Sequence, residues 1–468
     1  MRASELSDQL NRRRLRSALA RGLRPVAATW GEMRRGKGRP LPMFLNSMSL
    51  ILAKVFSLGL GFLAWLVAAR LFEPTVVGLA SATVAAMMLC VQFSLVGVGS
   101  SIINLFPARQ HAPARLFDTA FSVVGFAAIA AGAVFLILAA TILRELRVVA
   151  ADPAFAVVFV LLGVFGALGV LLDQISTVVR RGDEALRRNI LAGIVTLVAV
   201  VGIALGRFGS PSLGILIAWA IGSVAAVALG WRQLAAAPIR YRFRPDVDRS
   251  LARRLIGLGF PNYLLTLAER APGPVLPIVV TELLSPAANA HWYAVWMVAW
   301  VVFIVPIQVG LSLFAEVSHR PDSLAEIVRH GIRSSLAIGI LGAVGVTIGA
   351  ELVLQLLGHG YALAGAAPLR ILVWAVVPAT FIQAYFSTCR ATQRLREAIG
   401  TAVASGVLGV TAAAIGGLTA GLTGMAVAWL VSQVLTAVWA ISRLRVLMTT
   451  SGPDVEGTHA APRAQAQI

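Results

Sequence analysis

The sequence predicts an all-α integral membrane protein of about twelve transmembrane helices, arranged as two six-helix, pseudo-symmetric lobes. Three observations predict it: the composition, the placement of charge, and an internal repeat. Of 468 residues, 58% are apolar and 13% charged, and the mean hydropathy is +0.82. A soluble domain carries roughly 25% charged residues, so water-soluble classes are excluded. Apolar stretches long enough for a ~30 Å hydrocarbon core recur along nearly the whole chain. The 43 glycines are spread through these stretches, where small residues let helix backbones approach.

In chain order, residues 1–43 form a basic arm with eleven Lys and Arg, including Arg12-Arg13-Arg14-Leu15-Arg16. The arm lacks the apolar region of a cleavable signal. Leu15, Leu19 and Leu23 share a helical face. The arm therefore reads either as a basic amphipathic helix on the anionic inner leaflet or as a solvated topogenic tail. Spans are expected near 44–71, 76–106, 117–143, 154–179, 187–206, 211–231, 255–284, 288–315, 333–355, 366–388, 398–418 and 422–446. They divide into a first lobe at 44–233 and a second at 255–447, joined by a basic linker at 234–254. The polar tail at 448–468 is expected to be disordered.

Charge placement orients this map. With the N-terminus inside, 33 of the 40 Lys and Arg fall in inner segments and only Arg144, Arg147 and Arg207 in outer loops. The split predicts an even number of spans with both termini cytoplasmic. It also accounts for the net charge of +19 without invoking nucleic acid.

The repeat rests on three matches. Phe44-x-Asn46 followed by Lys54 matches Phe260-x-Asn262 followed by Arg270, 216 residues on. Leu71-Phe72-Glu73-Pro74 matches Leu283-Leu284-Ser285-Pro286 at 212, and Ser176-Thr177 matches Ser387-Thr388 at 211. Both halves begin in the same orientation, so the repeat is parallel, and such repeats place a site between the halves.

Ionisable groups inside spans are costly and mark cavities or ion pairs. Lys54 shares a face with Ser47 and Gly61 in span one, and its repeat mate is Arg270. In span seven, Tyr263, Thr266 and Arg270 share a face, Asn262 and Glu269 lie beside them, and Pro272, Pro274 and Pro277 break the helix. Lys54 and Arg270 read as cavity cations for an anionic group, or as members of a buried ion pair such as Lys54 with Glu269. Arg70 and Arg370 near the outer face read as headgroup-level residues, Arg70 within reach of Glu73. Asp118 reads as a partner of Arg115. Asp173 reads as a coupling group or a contact of Arg180 and Arg181. Glu282 and Glu351 read as interfacial. Trp292, Trp296 and Trp300, four apart, read as an interfacial belt with core packing or as a sugar platform.

Cys90 and Cys389 fall in apolar segments and read as packing residues. No metal-ligand spacing, nucleotide loop or nucleophile elbow occurs, so no cofactor, metal or catalytic residue is expected.

The stretch Asn46-Ser47-Met48-Ser49-Leu50, Lys54, Gly59-x-Gly61-Phe62, Ala68-Ala69-Arg70-Leu71-Phe72-x-Pro74, Val77-Gly78 and Ala80-Ser81 resembles the first two spans of bacterial polysaccharide-biosynthesis (Wzx-like) flippases. These belong to the multidrug/oligosaccharidyl-lipid/polysaccharide (MOP) exporter superfamily. The resemblance implies a MATE/MOP-like pair of lobes in the inner membrane. It implies a transporter, not an enzyme, that carries a lipid-linked oligosaccharide from the inner to the outer leaflet by alternating access for surface polysaccharide. In that family, cavity cations engage the lipid pyrophosphate. Lys54 and Arg270 fit that role, with Asn46, Asn262, Thr266, Arg70 and Arg370 as further binding candidates. Asp173, Glu269 and Asp118 are the coupling candidates. The implied partners are the lipid-linked saccharide, membrane lipids, and a polysaccharide polymerase or glycosyltransferases. Alternatives are a multidrug or small-cation efflux transporter of the same superfamily and a non-transporting component of an assembly complex.

Overall fold

The computed structural model describes residues 41–109, 113–206, 209–236 and 241–450, with the side chains of 41–51, 53–55, 107–109, 319, 321 and 449–450 outside that description. The basic arm before Leu41, the tail after Thr450 and the side chains of Asn46 and Lys54 thus lie outside the described residues.

Fifteen α-helices make up the described chain. The first lobe holds α1 (Leu41–Leu71), α2 (Pro74–Leu95), α3 (Val98–Arg109), α4 (Ala114–Thr141), the short α5 (Arg147–Ala151), α6 (Pro153–Val178), α7 (Gly182–Gly206) and α8 (Pro211–Ala235). The second holds α9 (Arg249–Arg270), α10 (Pro272–Leu283), α11 (Pro286–His319), α12 (Leu324–Gln355), α13 (His359–Leu372), α14 (Val376–Ala391) and α15 (Leu395–Thr450). Pro74, Pro153, Pro211 and Pro286 open their helices, where a missing N–H costs nothing. Asp152, Asp248 and Ser285 cap helix starts by accepting backbone N–H bonds.

Nine described helical segments, one of them α13 and α14 run together over His359–Ala391, are long and apolar enough to cross a membrane, and the apolar part of α1, Phe56–Leu71, is shorter. Two features reconcile these helices with twelve crossings. At Ala420 and Gly421 (φ +60°), α15 folds back, so it comprises two antiparallel crossings. Span seven, with Glu269 and Arg270 inside it, is divided between α9 and α10. The chain is a multi-pass, all-α membrane protein.

The pseudo-symmetry shows in the backbone. Gln393 N bonds Arg390 O and Arg394 N bonds Cys389 O; Arg180 N bonds Thr177 O and Arg181 N bonds Ser176 O. Arg180 (φ +58°) and Gln393 (φ +57°) occupy the same left-handed position in these turns. The geometry therefore pairs residues 213 apart here, not the 211 of the Ser176-Thr177 match. Shared polar residues drew that alignment two positions off.

Helices alternate in direction. The turns near 72–73, 142–146, 284–285 and 356–358 share one face, called distal, while Leu41 and Thr450 lie on the terminal face. Near the distal face, α2 crosses α11 and α10 of the other lobe. A Cβ on Gly78 would overlap the Pro286 carbonyl. Asn289 Nδ2 donates to Gly78 O at 2.8 Å and to Ser81 Oγ at 3.0 Å. Trp65 meets Tyr293 edge-on, with ring centroids 5.1 Å apart. Toward the terminal face, α9 lies against α3 and α4. Gly97 (φ +77°) and Gly259 touch backbone to backbone, Ser101 Oγ donates to Leu255 O, and the Tyr263 hydroxyl donates to Gln92 O. The lobes thus meet at two levels along one seam.

Candidate functional site

The seam is built around α9, which bridges both lobes. Its first turns rest on the first lobe, while Leu265 is fully buried in the second-lobe core with Tyr385 and Phe386. Pro272 then ends the helix, and Pro277 lies inside α10. Glu269 is one turn beyond Leu265, so it faces the same core. It pairs with Arg390 of α14 at 2.8 Å, the two side chains being 10% and 13% exposed. Arg390 also donates to Thr266 Oγ1 at 3.4 Å. Two turns beyond Tyr263, Arg270 shares the face that reaches Gln92 of the first lobe. Arg270 is exposed and has no ion pair among the described residues. It lies in the fields of Glu269 and Arg390. Consecutive residues thus divide the charge: a neutralised pair in the second-lobe core, and a bare guanidinium in the seam at a helix break. Asn262 is exposed on the same helix, its carbonyl accepting from Thr266 Oγ1.

The other predicted residues lie elsewhere. Lys54 is on α1, which packs along α7, but its side chain is outside the described residues. Glu269 takes Arg390, and not Lys54, as its partner. Asp173 meets Arg188 at 2.8 Å and Asn189 at 3.1 Å, in place of Arg180 and Arg181. Arg188, 3% exposed, also donates to Ser176 Oγ and Gln233 Oε1. This network ties α6, α7 and α8 within the first lobe. Asp118 accepts from the Tyr241 hydroxyl at 2.7 Å and from Arg244 N at 2.8 Å, so its partner is the linker and not Arg115. Arg370 faces Glu351 at 3.9 Å within the second lobe. Arg70 does not turn to Glu73. Its Nε donates to Leu356 O at 2.7 Å and its Nη2 to Gln355 O at 2.8 Å, both across the seam. Trp292 is fully buried, and Trp296 packs on Trp300, Phe303 and Trp429. The tryptophans are core.

Sequence reasoning missed Arg390 and Arg188. Both sit at terminal ends of spans, where the charge tally absorbed them as topogenic. The signal for Arg390 was an unmatched Glu269 in an apolar span, which requires a cation within reach.

A cleft of about 860 Å³ opens at the terminal side between α11 and α12. Its charged lining residues are Glu316, Arg320, Glu326, Arg329 and Arg333, with His330 beside them. Arg333 is exposed and has no ion pair among the described residues.

An inward-facing multidrug resistance MATE family transporter of the MOP superfamily superposes with a TM-score of 0.67 at 15% identity, over 86% of this chain and 100% of that one. The lipid II flippase MurJ in an inward closed conformation gives 0.68 at 12% identity, over 86% and 87%. A MOP superfamily transporter from Pyrococcus furiosus, described as having a binding pocket of reverse polarity, gives 0.61 at 12%, over 87% and 96%. The fold is that of the MOP superfamily transporters. No family profile matches the chain. No curated protein matches it.

Proposed function

We propose that the chain carries a polyprenyl-pyrophosphate-linked oligosaccharide from the inner to the outer leaflet of the cytoplasmic membrane by alternating access, with the terminal face inside. The observation that carries this reading is Arg270, a bare cation in the seam beside a broken helix. An exposed guanidinium within a membrane-spanning region, with no ion pair among the described residues, is open to an anionic visitor, and its planar fork suits phosphate oxygens. Lys54, its repeat mate on α1, is assigned the same role from the first lobe. The cleft between α11 and α12 is compatible with the reading: Arg320, Arg329 and Arg333 outnumber Glu316 and Glu326 along its wall, so a phosphate-bearing headgroup arriving from the inner leaflet meets a small excess of positive charge there.

The efflux alternative calls for an uncompensated acid in the seam. Glu269 is neutralised by Arg390 and Asp173 by Arg188, which favours an anionic cargo. The pyrophosphate-linked reading also agrees with the likeness to MurJ, itself a lipid II flippase.

The test is a leaflet-accessibility assay on the full chain in liposomes, using a fluorescent polyprenyl-pyrophosphate disaccharide. Wild-type protein is expected to equilibrate the probe across leaflets. Arg270→Ala should slow it by about tenfold or more, in line with losing a charge-assisted contact of roughly 1.5–3 kcal/mol. Protein-independent equilibration, or full activity of both Arg270→Ala and Lys54→Ala, overturns the reading.

A further inference from the structure

We infer that Arg70 and Glu282 are paired gate residues, each holding the distal ends of the lobes shut by binding the backbone of the opposite lobe. The two positions are 212 residues apart, the same spacing that relates the helix starts Pro74 and Pro286. They are one position in the repeat, filled by opposite charges.

Their targets are related in the same way. Arg70, on the first lobe, donates to the carbonyls of Gln355 and Leu356, where α12 ends. Glu282, on the second lobe, accepts from Arg144 N at 2.6 Å, Glu145 N at 3.2 Å and Leu146 N at 2.9 Å, just after α4 ends. Residues 144 and 356 are again 212 apart. In each case the charge suits the backbone it meets. The last carbonyls of α12 have no partner in their own helix and carry the negative end of its dipole, which a guanidinium satisfies. The three N–H groups leading into α5 converge on one carboxylate.

These five bonds cross the seam, so they cannot survive separation of the distal ends. Neither side chain lies beside Arg270, and neither need touch cargo for this role. The inference shares with the proposed function only the premise that the lobes move apart. A wrong cargo would not disturb it.

The experiment reads the gate directly in the full chain. Ser81, fully buried at the distal crossing beside Asn289, is replaced by Cys in a Cys90→Ala background, and a membrane-impermeant maleimide is added from the distal side. Arg70→Ala and Glu282→Ala are each expected to raise the labelling rate about tenfold or more, and Arg70→Lys to restore part of the protection. Cys389, fully buried toward the terminal side, stays in place as an internal control. Labelling of Ser81→Cys that is unchanged in both variants overturns the inference. So does a rise matched by equal labelling of Cys389, because that reports loss of the fold and not opening of one end. The labelling needs no saccharide, so failed transport of the disaccharide probe does not alter what it reads.

Discussion

Glu269 and Arg270 are chain neighbours whose environments differ. Removing Glu269 leaves Arg390 charged and largely buried without a partner, which costs about 3–5 kcal/mol. Glu269→Ala should therefore lower the melting temperature of the detergent-solubilised protein clearly, while Arg270→Ala changes it little and acts on transport instead. Equal melting shifts for the two variants would contradict this division. In the sequence, both residues stand out as costly charges in an apolar span. Which one is neutralised is not legible there, because the partner lies 121 residues away, hidden in a group of interfacial arginines. The repeat pairs Lys54 with Arg270 and so suggests Lys54 as that partner. Repeat position carries no information about distance across the seam.

At the scale of elements, the breaks in span seven and between spans eleven and twelve were legible. Proline dictates the first, and an apolar run too long for one crossing implies the second. The bend at Val96-Gly97 that separates α2 from α3 was not legible, since Gly97 and Gly99 are two of 43 glycines spread through the apolar stretches and do not stand out as a break. Yet this bend brings Gly97 against Gly259. A Cβ on Gly259 would overlap the Gly97 carbonyl. Gly259→Leu is accordingly expected to wedge α9 off the first lobe and slow transport of the disaccharide probe several-fold, with insertion intact. Wild-type rates would show that the terminal-side contact is dispensable. Only two-turn spacing along α9 was needed to see that Tyr263 and Arg270 share a face. Which lobe that face met required the tertiary structure.

For the whole molecule, twelve crossings and a two-fold plan followed from hydropathy and the repeat, because a bilayer forces backbone groups into helices whatever the side chains do. The attachment of the linker did not follow, since a basic, Pro-containing segment reads as loosely solvated. In the structure it is fastened to the first lobe. Tyr241 is 4% exposed and packs edge-on against Phe117, and Phe243 stacks on Trp231. Burial, together with the bond to Asp118, pushes the Tyr241 hydroxyl well above its ordinary range, so it remains a donor. Asp118→Ala should free this strap and speed trypsin cleavage after Arg242 and Arg244 about tenfold, the factor expected for one lost charged hydrogen bond. An unchanged digestion rate would mean that the aromatic contacts alone hold it.

The opposite charges at positions 70 and 282 also bear on how the halves find one another during assembly. Two first lobes facing each other would set Arg70 against the N–H groups of residues 144–146. Two second lobes would set Glu282 against the carbonyls of residues 355 and 356. Each mismatched pair would place like-signed poles together, and only the mixed pair satisfies both. A fold whose halves are near-copies thereby carries, at a single repeated position, a discriminator against self-pairing of either half.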